Sequence, residues 1–485
     1  MSPVTGAACA FTPPFGQDFA APAATPTASP NTRSIGAPAP VQTPPTIPLP
    51  DLAASYTLNV DQFDFAEGRL RTAETVRVTN REGCALDRLY FSVTAARWGW
   101  FALTGVQVAG QPVAAQINGT VLPIRLPQPL AAGATTEITI DFRLDVGVAA
   151  DQYTPGGFAG TTQTGDILRL AYWFPILSDD HQYPPYLDPP YTATADYTMT
   201  ITTPADAEVV IAPTGTITGE QQNGDGTVTR RIEAQNVRDF VLGLSPNYQV
   251  ARRQTANGVL VEVYYSPQSF GRNAQNSAFV QQLVTKALDA AVLAEERLSA
   301  LIGPYPYPVL RVVDGGATLS GGIEFPAVIM VNLNYGSDDL IYHEVGHEWM
   351  YGLLGTRTQQ DPWIDEGGAT FLTSYLDNTL PTNPAPPATF AYRLSTPVWA
   401  IPPGGGQRGA TEAIYTQGGD FYTLVMRAMG EDTFWRAMQQ LYREHRYAII
   451  TPHDILGTWQ ANSPTDLRPL FKEYLDYPWL DELAR

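Results

Sequence analysis

Two histidines stand four residues apart in the segment His343-Glu344-Val345-Gly346-His347. Side chains at positions i and i+4 of a helix project from one face, with Cβ atoms about 5–6 Å apart. Two imidazoles at this spacing can bind one Zn²⁺ ion through bonds of about 2.0–2.1 Å. The chain has only five histidines among its 485 residues, so a chance pair of this form is rare. The alternative interpretation is a solvated helix that carries two surface histidines.

A zinc hydrolase needs a third protein ligand and an open position for water. Glu366 follows His347 by nineteen residues. Pro362 stands just before it, and because proline suits the first turn of a helix, a helix is predicted to begin there. A loop between two antiparallel helices would bring Glu366 against the histidines, and Gly367-Gly368 would permit the helices to approach closely. We therefore predict one Zn²⁺ ion bound by His343, His347 and Glu366.

Glu344 is adjacent to a predicted ligand but turned about 100° around the helix, so it can reach a zinc-bound water as a general base. Apolar residues spaced from Leu340 to Leu354 predict the helix, with Asp338 and Asp339 capping its start. Gly346 costs roughly 1 kcal/mol relative to Ala inside a helix. Its presence predicts that a neighbouring element packs very close there.

The segment before these helices has the periodicity of β-strands. Apolar residues alternate in Tyr56-Leu58-Val60 and in Ile138-Ile140-Phe142-Leu144. Asn223-Gly224-Asp225-Gly226 is typical of a hairpin turn. Residues 51–250 are therefore predicted to form an N-terminal, all-β domain or a pair of packed sheets.

Helical spacing replaces this alternation near residue 275. Apolar residues from Val280 to Ile302 predict a long helix, and Val309–Val313 a short strand. Helical patterns dominate from about residue 338 to the end. Residues 251–485 are therefore predicted to form a catalytic α+β domain that is mostly helical toward the C-terminus.

The composition excludes several classes of protein. A hydrophobic fraction of 44% is ordinary for a globular protein. The net charge of −19 argues against nucleic acid as a partner, because phosphate neutralisation needs clustered Lys and Arg. Two cysteines, Cys9 and Cys84, cannot build a disulfide scaffold or a four-cysteine zinc site. The sequence has no run of about 18 or more apolar residues, so no transmembrane helix is predicted.

Residues 1–50 differ from the rest of the chain. They hold twelve of the 42 prolines and two charged residues, Asp18 and Arg33, which predicts a disordered tether. Gly6-Ala7-Ala8-Cys9 resembles the end of a bacterial lipoprotein signal, which makes Cys9 a candidate for a lipid anchor. A chance run of small residues is the alternative. We expect an extracytoplasmic protein, secreted or surface-tethered, with a cytoplasmic location as the alternative.

The chain resembles the gluzincin metallopeptidases, and within them the alanyl-aminopeptidase family. The resemblance lies in a His-Glu-x-x-His motif that is followed, after eighteen residues, by a glutamate. Gly321-Gly322-Ile323-Glu324-Phe325 lies where this family carries its Gly-Ala-Met-Glu-Asn exopeptidase motif, with Ile323 and Phe325 as departures. Tyr415-Thr416-Gln417-Gly418 is similar to the segment that supplies the family's catalytic tyrosine. Tyr172-Trp173-Phe174-Pro175 resembles part of its β domain. The resemblance covers about residues 51–485 and is strongest from 320 to 420.

The resemblance implies a zinc-dependent aminopeptidase that removes N-terminal residues from peptides by attack of a metal-activated water. It implies a saddle-like β domain before a thermolysin-like catalytic domain. Tyr415 would donate a hydrogen bond to the oxyanion, or else be a packed aromatic residue. Glu324 would bind the α-ammonium of a peptide with a free N-terminus, or else be a loop carboxylate. Gly321 and Gly322 would allow the backbone to lie beside an extended peptide.

Two other functions stay open. The departures at Ile323 and Phe325 leave room for a zinc endopeptidase or a glycyl-aminopeptidase-like enzyme on the same catalytic fold. A non-catalytic binding protein is the second alternative. Because the chain ends at Arg485, we expect it to lack the C-terminal helical domain of many family members. The site would then be more open, or covered by another protomer.

Overall fold

The computed structural model of the protein describes residues 51–147, 160–161, 166–179, 192–205, 209–317, 319, 321–401 and 412–484. The predicted tether, with its candidate anchor Cys9, lies outside these residues. A large β region is followed by helices toward the C-terminus, which confirms the predicted order of structure. Within the described ranges, no helix combines the length and the apolar composition needed to cross a bilayer.

The β region is built from strands that alternate buried and exposed residues. In the run predicted from its alternation, Ile138, Ile140, Phe142 and Leu144 are all fully buried. The strands of this region are β1 (Leu52–Asp64), β2 (Arg69–Asn80), β3 (Leu86–Ser92), β4 (Phe101–Val108), β5 (Gln111–Pro112), β6 (Val121–Leu130), β7 (Thr135–Asp145), β8 (Gly160–Thr161), β9 (Leu168–Leu170), β10 (Ile176–Ser178), β11 (Ala195–Pro204), β12 (Val210–Pro213), β13 (Thr216–Gln222), β14 (Thr227–Val237) and β15 (Leu242–Ser245).

These strands form three sheets. The largest has the order β13-β14-β11-β1-β2-β7-β4-β5, and smaller sheets have the orders β10-β3-β6 and β12-β15-β9-β8. β13 and β14 pair as an antiparallel hairpin around the predicted turn at 223–226. β1 pairs with β11 in parallel, whereas β1–β2 and β2–β7 are antiparallel.

The C-terminal region combines a fourth sheet with the helices. The sheet order is β16-β17-β18-β20-β19, which places β19 at an edge. Its strands are β16 (Gln249–Gln254), β17 (Leu260–Tyr265), β18 (Val309–Asp314), β19 (Gly322–Phe325) and β20 (Val328–Val331). The helices are α1 (Ser277–Leu301), α2 (Asp338–His347), α3 (Pro362–Leu376), α4 (Gln417–Met429), α5 (Glu431–His445), α6 (Pro452–Asn462) and α7 (Arg468–Tyr474).

The helix predicted to reach Leu354 ends earlier, at His347. Residues Glu348–Leu353 form a π-helical turn instead, a conformation that is frequent at functional sites. The predicted caps are also shifted by one residue. Ser337 is the N-cap of α2, and Asp338 and Asp339 lie in its first turn, where negative charge favours the helix dipole.

Glycines set the distances between α2, α3 and α4. A Cβ on Gly346 would lie 3.4 Å from Cα of Ala369, so α2 and α3 pack closely as predicted. The expected role of Gly367-Gly368 at this contact is wrong. A Cβ on Gly367 would lie 2.8 Å from Cα of Gly418 on α4, and one on Gly368 would lie 2.8 Å from Cε of Met350. Gly367 therefore allows the close approach of α4, and Gly368 that of the π turn; neither is needed for the contact with α2.

Candidate metal centre

Three predicted donors converge between α2 and α3. Nε2 of His343 lies 3.1 Å from Nε2 of His347 and 3.1 Å from Oε2 of Glu366. Nε2 of His347 lies 3.3 Å from the same Glu366 oxygen. A tetrahedral site with bonds of about 2.0–2.1 Å has donor–donor separations of about 3.3 Å. The three donors therefore have the chemistry and the spacing of a zinc site.

A carboxylate behind the donors fixes the orientation of His347. Nδ1 of His347 lies 2.6 Å from Oδ1 of Asp365, and both side chains are buried. The hydroxyl of Thr356 donates to the other Asp365 oxygen at 3.3 Å. A carboxylate on one ring nitrogen directs the opposite nitrogen toward the metal position. The sequence showed many acidic residues here but did not indicate which one contacts a histidine.

The charges of the centre favour a cation at the donor position. Burial alone would lower the pKa of His347, but Glu324, Asp365 and Glu366 raise it well above the ordinary value. Burial alone would raise the pKa of Glu366, but His347 and His343 lower it below the ordinary range. The same carboxylates that favour a proton on His347 would favour a divalent cation bound to it.

Glu344 lies beside the donors in a confined space. It is 4% exposed, and its Oε2 has no hydrogen-bond partner. Burial raises its pKa to about 7, although His343 and His347 oppose the shift. A Cβ on Gly322 would lie only 2.6 Å from Cγ of Glu344. A methyl group at this position would therefore displace the Glu344 side chain.

The predicted exopeptidase segment lies along the edge strand β19. A carboxylate oxygen of Glu324 is within 4.8 Å of ligand atoms on both Glu344 and His347. Glu324 is only 8% exposed. Gly321, just before β19, has a φ of 138°, and its carbonyl accepts a hydrogen bond from the Asn332 amide at 2.9 Å. The structure thus places Glu324 and Gly322 next to the donors.

Tyr415 reaches the centre from the other side. It belongs to a second π-helical turn, Glu412–Thr416, directly before α4. Its hydroxyl donates to Oε1 of Glu366 at 2.5 Å. Its ring stacks on His343, with centroids 5.8 Å apart and planes 22° apart. The tyrosine predicted from a distant sequence segment therefore lies at the same centre.

Two further contacts join the π turn 348–353 to the β region. The Tyr351 hydroxyl donates to Oδ2 of Asp239, and Nε of Arg238 donates to the Gly352 carbonyl at 3.2 Å. Both Arg238 and Asp239 are buried. These two residues are not predictable from the sequence, because nothing in their spacing connects them with a segment more than 100 residues away.

Comparisons with known proteins agree with this geometry. No protein-family model matches the chain. Among curated proteins, the chain is similar to Aminopeptidase N of Streptomyces lividans, with 24% identity over 156 residues. The aligned part is 28% of this chain and spans only 18% of the length of that relative.

Solved structures show a more extensive likeness. An M1 zinc metallopeptidase from Deinococcus radiodurans matches with a TM-score of 0.61 and 17% identity, over 85% of this chain and 90% of its own. A mutant of that protein bound to a Tyr-Ser-Ala substrate matches with a TM-score of 0.63 and 17% identity, over 89% and 96%. A two-domain M1 zinc metallopeptidase mutant bound to L-tryptophan matches with a TM-score of 0.61 and 18% identity, over 85% of this chain and 91% of its own. The chain therefore has the fold of these M1 zinc metallopeptidases, in agreement with the resemblance in its motifs.

Proposed function

We propose that this protein is a zinc-dependent aminopeptidase that hydrolyses N-terminal residues from peptides. The observation that carries the proposal is the convergence of His343, His347 and Glu366, with Glu344 and Glu324 beside them. The fold likeness to M1 zinc metallopeptidases and the partial likeness to an aminopeptidase support it. We further propose the finer architecture implied by the motifs, a saddle-like β domain and a thermolysin-like catalytic domain.

Glu344 is the proposed general base. When bound, Zn²⁺ would supply the acidity that prepares a water for attack and would polarise the scissile carbonyl. Glu344 would accept the proton of that water and later deliver it to the leaving amine. Burial raises its pKa above the ordinary value, and a base whose pKa is shifted toward the working pH can both accept and release a proton.

Glu324 is the proposed recognition site for the substrate N-terminus. Its carboxylate lies within 4.8 Å of ligand atoms on Glu344 and His347. An α-ammonium held there would be one residue away from a carbonyl at the metal position. This spacing would restrict cleavage to the first peptide bond, and an N-acetyl group would remove the positive charge that Glu324 binds.

Tyr415 is the proposed donor to the oxyanion. Its hydroxyl lies at the centre and donates to Glu366, so only a small reorientation would be needed to donate to a substrate oxygen beside the metal. Preorganised donors of this type commonly contribute about 10²–10³-fold to kcat.

The endopeptidase alternative gains no support from the two departures in the exopeptidase motif. Ile323 and Phe325 alternate with Glu324 along β19, so they lie on the opposite face of the strand. Both are buried, and Phe325 packs edge-on against Tyr172 with ring centroids 5.6 Å apart. The residues that differ from the motif therefore stay away from the proposed substrate side.

The location of the protein is a separate proposal. The proline-rich composition of residues 1–50 supports an extracytoplasmic peptidase, held by a lipid at Cys9 or secreted. Metabolic labelling with a fatty acid, comparing the chain with a Cys9→Ser variant, distinguishes the two. Label that depends on Cys9 supports the anchor, and its absence contradicts it.

The proposed activity is tested with a panel of aminoacyl fluorogenic amides, each assayed with and without a chelator. We expect hydrolysis that stops with the chelator, returns with Zn²⁺ and is abolished by N-acetylation. Undiminished cleavage of the acetylated amides would favour an endopeptidase. A Glu344→Gln variant that retains zinc but loses activity supports the general base, whereas full activity in this variant contradicts it.

A further inference from the structure

The turn that follows Glu324 has an unusual construction. β19 and β20 pair from Phe325 to Val328, which leaves Pro326 and Ala327 as a two-residue loop. Proline requires a negative φ at the first position, and Ala327 has a φ of 65° at the second. This sequence of conformations is typical of a type II turn. Type II turns fit poorly between twisted antiparallel strands, which prefer types I′ and II′.

Ala327 also carries a local cost. A φ of 65° is disfavoured for residues with a Cβ, and glycine is the usual residue at this position of a type II turn. A turn with both a mismatched twist and a disfavoured residue needs support from outside the hairpin. One such contact is the Arg311 amide, which donates to the Ala327 carbonyl at 3.0 Å.

Glu348 provides a contact at this point. The Ala327 amide donates to Oε2 of Glu348 at 3.0 Å, and the Tyr305 hydroxyl lies 3.4 Å from the same oxygen. Glu348 is only 2% exposed. A Cβ on Gly352 would be 3.6 Å from Oε2 of Glu348 and 3.9 Å from Cα of Pro326. The hairpin loop and the π turn are therefore in direct packing contact.

The position of Glu348 in the chain gives this contact a function. Glu348 directly follows His347, a proposed zinc ligand, and it opens the π turn. One residue, Phe325, separates Glu324 from the hairpin loop. One hydrogen bond thus connects the segment that binds the metal with the segment that would bind the α-ammonium.

We propose that Glu348 is a positioning residue that fixes the distance between the N-terminus-binding carboxylate of Glu324 and the metal. This role rests on the proposed aminopeptidase function. It specifies how cleavage would be limited to the first peptide bond. In this role, Glu348 does not contact the substrate. It acts through the Ala327 amide on the strand that presents Glu324.

The test compares two inhibitors that differ only in an amino group, L-leucine hydroxamate and 4-methylpentanohydroxamic acid. The ratio of their inhibition constants measures recognition of the α-ammonium separately from binding to zinc. In Glu348→Met, which keeps the volume but removes the acceptor, we expect this ratio to fall about tenfold. Zinc content should stay at that of the wild-type protein. Should E348M not fold, Glu348→Asp withdraws the acceptor by one methylene and takes its place.

Two controls separate this role from general stability. Glu348→Gln keeps an acceptor for the Ala327 amide and should retain the wild-type ratio within about twofold. Tyr305→Phe removes the other donor to Glu348 and should also retain it. The double variant E348M/A327G should recover much of the ratio, because glycine accepts the positive φ without the outside contact.

The outcomes distinguish this proposal from the one on which it rests. A wild-type protein that binds no zinc, or that does not prefer the amino compound, contradicts the aminopeptidase function and with it the role of Glu348. A wild-type protein with a clear preference and an E348M variant with an unchanged ratio overturn only the positioning role. Equal losses in E348M and E348Q would also overturn it.

Discussion

At the scale of single residues, Gly322 shows how closely Glu344, the proposed general base, is confined. The space of its missing side chain is occupied by the Glu344 carboxylate. We predict that Gly322→Ala displaces Glu344 and lowers kcat about 100-fold, at the lower end of a general base's contribution. Zinc content should not change. Steady-state kinetics and metal analysis on the same preparation check this.

A matched glycine provides the control. Gly224 lies in the β13–β14 turn, with no atom within 4 Å of an added Cβ, so Gly224→Ala should leave kcat unchanged. A Gly322→Ala protein with the wild-type kcat would mean that Glu344 either tolerates the methyl group or is not the base.

The metal donors could be predicted from the sequence, but the buried acids that contact His347 and Ala327 could not. His343, His347 and Glu366 follow from helical spacing and metal chemistry, which are local rules. Asp365 and Glu348 were visible only as two acids among seven between residues 338 and 366. Their contacts with His347 and Ala327 depend on how separate elements pack, and no local pattern contains that information.

At the scale of elements, the π turn Glu348–Leu353 connects the metal centre with the β region. Arg238 is fully buried and donates to three backbone carbonyls, those of Thr192, Gly352 and Ala448. A Cβ on Gly355 would overlap its guanidinium. The continuous helix predicted through Leu354 missed this turn, because its apolar spacing fits an α-helix and a π-helix equally well.

Removing this guanidinium should weaken the attachment of the π turn. We predict that Arg238→Met lowers the free energy of unfolding by about 3 kcal/mol, because it leaves buried carbonyls without a donor. Urea denaturation of the zinc-loaded protein measures the change. The control is Arg231→Met, at an exposed ion pair with Glu233, which should cost less than about 1 kcal/mol. Equal effects of the two substitutions would contradict the role of Arg238.

At the scale of the whole molecule, several buried carboxyl groups make stability depend on pH. Burial raises the pKa values of Asp239, Asp314 and Asp361 to about 6. Between the ordinary carboxyl pKa of about 4 and pH 6, the folded state holds protons that the unfolded state has released. The stabilisation that these three groups contribute below pH 4 is therefore lost as the pH rises through 6.

The prediction is a fall in the free energy of unfolding between about pH 4 and pH 6 that Asp361→Asn partly removes. Chemical denaturation across this range measures the slope, at high salt so that effects of the net charge, which changes around the isoelectric point of about 4.6, are screened. Asp87→Asn, at an exposed position of β3, should leave the slope unchanged. A slope that Asp361→Asn does not alter would contradict the assignment.

We propose that His343, His347 and Glu366 hold one zinc ion on which peptide hydrolysis depends. The most direct measurement determines zinc by mass spectrometry and aminopeptidase activity in the same samples, for the wild-type protein and Glu366→Gln. We predict one zinc per wild-type chain, and a loss of both zinc and activity in Glu366→Gln. Full activity in zinc-free wild-type protein, or in Glu366→Gln, would contradict it.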